Sequence, residues 1–70
     1  MNKEKILYKG TEFTVKYFEK EELFWLETNS ELVLSTKYIV EISLYLLKEA
    51  KLAFSEVDRI TGVIYYHLEN

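Results

Sequence analysis

Seventy residues with a formal net charge of −3, no cysteine and a single histidine leave room for one domain, without a disulfide framework, a thiolate metal site or a cysteine nucleophile. At 49% hydrophobic and 16% aromatic residues the chain is too apolar to stay disordered, and its acidic balance argues against the clustered basic footprint that a phosphate backbone attracts. Ile6-Leu7-Tyr8 is too short for a signal-peptide core and no apolar run approaches the roughly 18 residues of a membrane span, so a soluble, intracellular (cytoplasmic) protein is expected.

Residues 5–9 alternate weakly and read as a first strand, and Gly10-Thr11 suits a tight turn because glycine adopts positive φ without steric cost. Over residues 12–18, Phe13, Val15 and Tyr17 fall on one face and Glu12, Thr14 and Lys16 on the other, the mark of a half-buried strand. Glu19-Lys20-Glu21 is a charged connection into residues 22–28, whose aromatic and aliphatic residues on both faces suit a central strand. Asn29-Ser30-Glu31 is turn-like, and Leu32-Val33-Leu34 fits either a further meander strand or an extended lead into a helix. Ser35 or Thr36 is placed to cap that helix, which runs without a breaker to about residue 53. Residues 54–61 fit either a loop or a short second helix opened by Ser55 and Asp58 and closed by Gly62. Residues 63–68, rich in β-branched and aromatic residues, read as the last strand.

The expectation is a single α+β domain over residues 1–70: a small antiparallel sheet of three to four strands with one main helix packed across one face, in the order β-β-β-α-β. A chain this short, lacking disulfides and metal ligands, draws its stability from packing, oligomerisation or a partner.

The helical segment carries the most informative pattern. Projected at about 100° per residue, Ile39, Val40, Ile42, Ser43, Leu46, Leu47, Ala50, Ala53 and Phe54 share one arc, the face expected against the sheet. Tyr38, Tyr45 and Leu52 form a second apolar ridge at heptad spacing, bordered by Glu41 and Lys48. One sheet needs only one stripe. The second is expected to meet another protein or a second copy of this chain, a homodimer, since heptad spacing suits another helix and tyrosine suits interfaces.

Catalytic constellations are sparse. The sole imidazole, His67, is grouped by alternation with Val63 and Tyr65, as a partly exposed strand residue rather than the base of a triad. Glu19, Glu21, Glu22 and Glu27 flank a connection where charge ordinarily solvates a surface, rather than pairing for acid–base work. His67 with Glu69 supplies too few ligands for zinc, neither glycine sits in a phosphate-cradling loop, and no cofactor is expected. Aromatic residues Tyr8, Tyr17, Trp25, Tyr65 and Tyr66 are candidates for a base-stacking platform, but lacking a basic groove they are assigned mostly to the core.

Residues 46–68, above all Phe54-Ser55-Glu56-Val57-Asp58-Arg59-Ile60-Thr61-Gly62-Val63 followed by Tyr65-Tyr66-His67-Leu68, resemble the middle of a bacterial helix-turn-helix. The resemblance implies a recognition helix near residues 64–70 and binding to DNA. The polar turn and the basic, Ser/Thr-rich start of such a helix are missing.

The leading expectation is therefore a non-enzymatic interaction protein. Proline is absent, and lysine, isoleucine, tyrosine and phenylalanine, all with A/T-rich codons, abound, as in low-GC bacteria and their phages. One concrete form is a phage or mobile-element inhibitor that occludes a host nucleic-acid-acting protein, with the acidic residues Glu19, Glu21, Glu22, Glu27 and Glu31 competing for a basic cleft. Two alternatives are a small DNA-binding regulator, needing residues 64–70 helical and exposed, and an oligomer holding a nucleotide-like ligand between subunits. The inhibitor reading places the same residues in the sheet.

Overall fold

A computed structural model describes residues 2–69, with side chains for residues 3–62. Four strands, β1 (Asn2–Tyr8), β2 (Thr11–Phe18), β3 (Leu23–Thr28) and β4 (Glu31–Thr36), are followed by two helices, α1 (Ile39–Lys48) and α2 (Phe54–Glu69). The strands form one antiparallel meander in the order β1-β2-β3-β4. Lys9 and Gly10 link the paired residues Tyr8 and Thr11, both with positive φ (50° and 84°). Asn29 and Ser30, at φ 49° and 69°, do the same between Thr28 and Glu31. Positive φ at both central residues is what the type I′ hairpin turn demands, and its twist matches the strands it joins.

The apolar face expected of β2 is realised, although Thr14 on its other face is buried as well. Phe13 and Val15 are buried with Ile6 of β1 and Phe24 and Leu26 of β3, forming the row on which both helices lie. Ile39, Ile42 and Leu46 of α1, Leu52 of the interhelical link, and Val57 and Ile60 of α2 close that core. α1 packs beside β4, α2 beside β1, and the helices touch each other. The opposite sheet face, outside the two-layer sandwich, carries Lys16 paired to Glu27 at 3.0 Å.

The architecture is α+β, but its order differs from the expected β-β-β-α-β. Residues 31–36 are a full fourth strand. Residues 63–68 belong not to the sheet but to the unbroken helix α2. Their β propensity amounts to a few tenths of a kcal/mol per residue, which packing readily overrides. Val57 and Ile60, buried on the sheet, begin a three-and-four spacing that the sequence repeats at Ile64 and Leu68. Gly62 does not end this helix.

α1 is shorter than residues 36–53 at both ends. Tyr38, extended at φ −120° and ψ 111°, occupies the N-cap position without a side-chain cap bond of its own. The hydroxyl of Thr36 ties down the chain before the helix: it accepts the Tyr38 N–H at 3.1 Å and donates to Glu41 Oε1 at 2.7 Å. At the far end Lys51 turns left-handed (φ 60°), and the Leu52 N–H donates to the Leu46 carbonyl at 2.9 Å. That reversal drops Leu52 into the core. Glycine usually holds such a position; here lysine does, so the helix end carried no sequence signal.

Candidate interaction surface

The heptad ridge of the sequence does not exist as one stripe, because α1 ends before its third member. Tyr38 is 66% exposed and Leu52 only 5%. Tyr45 is half-buried against the edge of the core. Val40 and Phe54, assigned by projection to the sheet-facing arc, are both exposed. The rotation of α1 is set by the buried Ile39, Ile42 and Leu46, with Tyr45 and Leu47 packed at the edge of the core.

Tyr38 stands with Tyr17, Phe24, Val40, Glu22 and Lys37 around an apolar cleft of about 530 Å³ at the start of α1. Tyr45, Glu41 and Lys48 come together elsewhere, in a groove of about 300 Å³ between α1 and β4 that Leu34, Leu44 and Glu49 complete. Three of the five residues expected at an interface thus share one surface. Glu41 and Lys48 are both exposed, and among the described residues neither forms an ion pair. Leu44, at 45% exposed, is a groove residue that belongs to neither of the two stripes expected from the sequence.

The sheet edge near this groove is also apolar, although Leu32, opposite Glu27, lies on the other face of the sheet. β4 is an outer strand with Leu32 at 51% and Val33 at 41% exposure. Two consecutive exposed residues arise because the pairing shifts register between Leu26 and Glu27, leaving Val33 as the extra residue of a bulge. A bulge blunts an edge, as do charges. The other outer strand, β1, carries Lys3 and Lys5, whereas β4 has only Glu31 at its start. The signal was present as the uncharged run Leu32-Val33-Leu34.

The acidic residues do not make one patch. Glu19, Glu21 and Glu22 are exposed together in the β2–β3 connection. Glu31 begins β4, beyond the other end of β3, about 17 Å away at the rise of a strand. Glu27 lies on the open sheet face and is neutralised by Lys16. That face also brings Phe18 and Trp25 together with ring centroids 4.7 Å apart, beside a polar cleft of about 230 Å³ shared by Lys3, Lys5, Glu12 and Thr14. Tyr8 and Tyr17 pack instead on the helix side, Tyr17 against Phe24 at 4.7 Å, so the five aromatics do not form one platform. The side chains of Tyr65, Tyr66, His67 and Glu69 lie outside the described residues.

No protein-family model, curated protein or solved structure matches this chain. Its functional reading therefore rests on its own geometry. Among the described residues no group of three or more His, Asp or Glu side chains is disposed to hold a metal ion, and no helix is long and apolar enough to cross a membrane. Residues 64–69 are helical, as a DNA-binding regulator required and contrary to the sheet placement of the inhibitor reading. Yet α2 runs unbroken from Phe54, so no turn sets a recognition helix apart. The first turns of α2 present Asp58 and an Arg59 already paired to Glu56 at 3.2 Å, a poor start for contacts with phosphate.

Proposed function

We propose that this chain is a non-enzymatic protein-interaction module whose docking surface is the groove between β4 and α1. The observation that supports this reading is a groove built on Leu34, the 45% exposed Leu44 and Tyr45, and bordered by the exposed Glu41 and Lys48. An apolar centre bordered by charge is the usual anatomy of a protein–protein contact. The finer form of the reading is a small acidic inhibitor, from a phage or mobile element, that acts inside the cell by occluding a host nucleic-acid-acting protein. The exposed trio Glu19, Glu21 and Glu22 supports this, since a local excess of negative charge steers association with basic clefts.

The test uses Leu44→Glu, a change at an exposed helical position that leaves the core intact. The wild-type chain is expected to associate, either with itself in light scattering or with a component of a low-GC bacterial lysate, and the variant to lose that association. A wild-type chain that stays monomeric and captures nothing, or capture that Leu44→Glu leaves untouched, overturns the reading. A second reading is favoured by the cleft beside Tyr38, whose volume of about 530 Å³ matches small-ligand sites. A thermal-shift panel of nucleotides tests it, with Tyr38→Ala expected to abolish any stabilisation.

A further inference from the structure

Glu41, Leu44, Tyr45 and Lys48 have an arrangement that reads the same from either end. Seven residues are nearly two helical turns, so Glu41 and Lys48 emerge on the same side of α1. Leu44 and Tyr45 lie midway between them. A two-fold axis running alongside the exposed face of α1, perpendicular to the helix and level with the midpoint of Leu44 and Tyr45, lays a second α1 antiparallel against the first. Each charged residue stands about 5 Å along the helix from that axis, so Glu41 faces Lys48 of the second copy, and Lys48 faces its Glu41. Leu44 and Tyr45 meet each other's counterparts at the centre. Glu49 comes level with the uncharged Val40, one residue beyond the Glu41–Lys48 pair.

We infer that the occupant of the β4–α1 groove is a second copy of this chain, docked as an antiparallel two-fold α1 pair closed by two Glu41–Lys48 ion pairs. The inference rests on the interaction-module reading and names the partner for its surface. Isologous contacts require a patch that complements itself, and opposite charges placed symmetrically about an apolar midpoint satisfy that requirement. An unrelated partner would impose no such symmetry on one helix. Glu41 is also held ready, because Thr36 donates to its Oε1 at 2.7 Å and leaves Oε2 free for the incoming ammonium. β4 borders the same groove through Leu34, which the second copy would cover together with Leu44 and Tyr45. A chain of 8.4 kDa without cysteine gains from pairing the stability that its small core supplies only in part.

The experiment is a charge swap read by multi-angle light scattering and sedimentation across a concentration series. Wild type is expected at twice the 8.4 kDa chain mass. Glu41→Lys and Lys48→Glu each put two like-charge pairs into the interface and are expected to weaken dimerisation at least about tenfold. The double variant E41K/K48E restores opposite charges and is expected to recover wild-type affinity within about threefold. Lys48→Glu keeps the Thr36–Glu41 hydrogen bond, so it decides the matter if Glu41→Lys disturbs the fold, which a circular-dichroism melt records. A monomeric wild type, single variants that dimerise unchanged, or a double variant no better than the singles overturns the inference. A monomer that captures another protein in a Leu44-dependent way overturns self-pairing alone and leaves the interaction module standing.

Discussion

Replacing Ser30 by glycine should stabilise this protein, whereas the same replacement one residue earlier should destabilise it. Ser30 sits at φ 69° in the β3–β4 turn, where an L-residue costs about 1–2 kcal/mol. Glycine removes that cost but adds about 0.5–1 kcal/mol of backbone entropy lost on folding. The net gain is about 0.5–1 kcal/mol, or about 3–6 °C in Tm for a domain of this size. Asn29, at φ 49°, gains little from the change because asparagine tolerates that region. Its Oδ1 also accepts the Glu12 N–H at 3.0 Å, a bond worth about 0.5–1.5 kcal/mol net. Losing it and adding glycine entropy makes Asn29→Gly unfavourable by about 1–2 kcal/mol. Urea titration of both variants, with unchanged slope, measures the two shifts. Ser30→Gly that is neutral or destabilising, or Asn29→Gly that stabilises as much, would refute the assignment of positive-φ strain and of the Asn29 clamp.

Thr28 Oγ1 is buried with no hydrogen-bond partner among the described residues, so the isosteric Thr28→Val should raise stability by about 1 kcal/mol; a loss in thermal melts would point to a bonded hydroxyl. Leu52→Asp buries a charge in the core and is expected to unfold the domain, while Tyr38→Asp should shift stability by no more than about 0.5 kcal/mol. Equal effects by circular dichroism would contradict the division of the ridge between core and surface.

The parts of the fold that the sequence revealed were those whose pattern and packing agree. The sequence of β2 alternates because its apolar face meets the helices while its other face carries the polar residues Glu12, Thr14 and Lys16, and the expected strand 12–18 matches Thr11–Phe18 to within one residue. The errors fell where a local signal was missing or outweighed. Nothing in Lys51 announces a left-handed residue, so the helix was extended and Leu52 was drawn onto a surface ridge. Val63-Ile64-Tyr65-Tyr66 favours a strand locally, yet the segment continues α2, whose periodicity begins at Val57 and crosses Gly62. Of the residues expected at an interface, Tyr45, Glu41 and Lys48 come together in one groove because they lie within the true helix. The β4 edge was not legible, since which strand ends up outermost depends on pairing order rather than on any one residue.

That pairing order also governs when the core is covered. Every strand binds its neighbour in the chain, so the meander closes only short loops and is expected to form quickly. The apolar row of Ile6, Phe13, Val15, Phe24 and Leu26 is then complete before Val57 and Ile60 have left the ribosome. At about 5–20 residues per second, the interval between the synthesis of Thr36 and that of Val57 is on the order of seconds, during which one side of the sheet has nothing of its own to cover it.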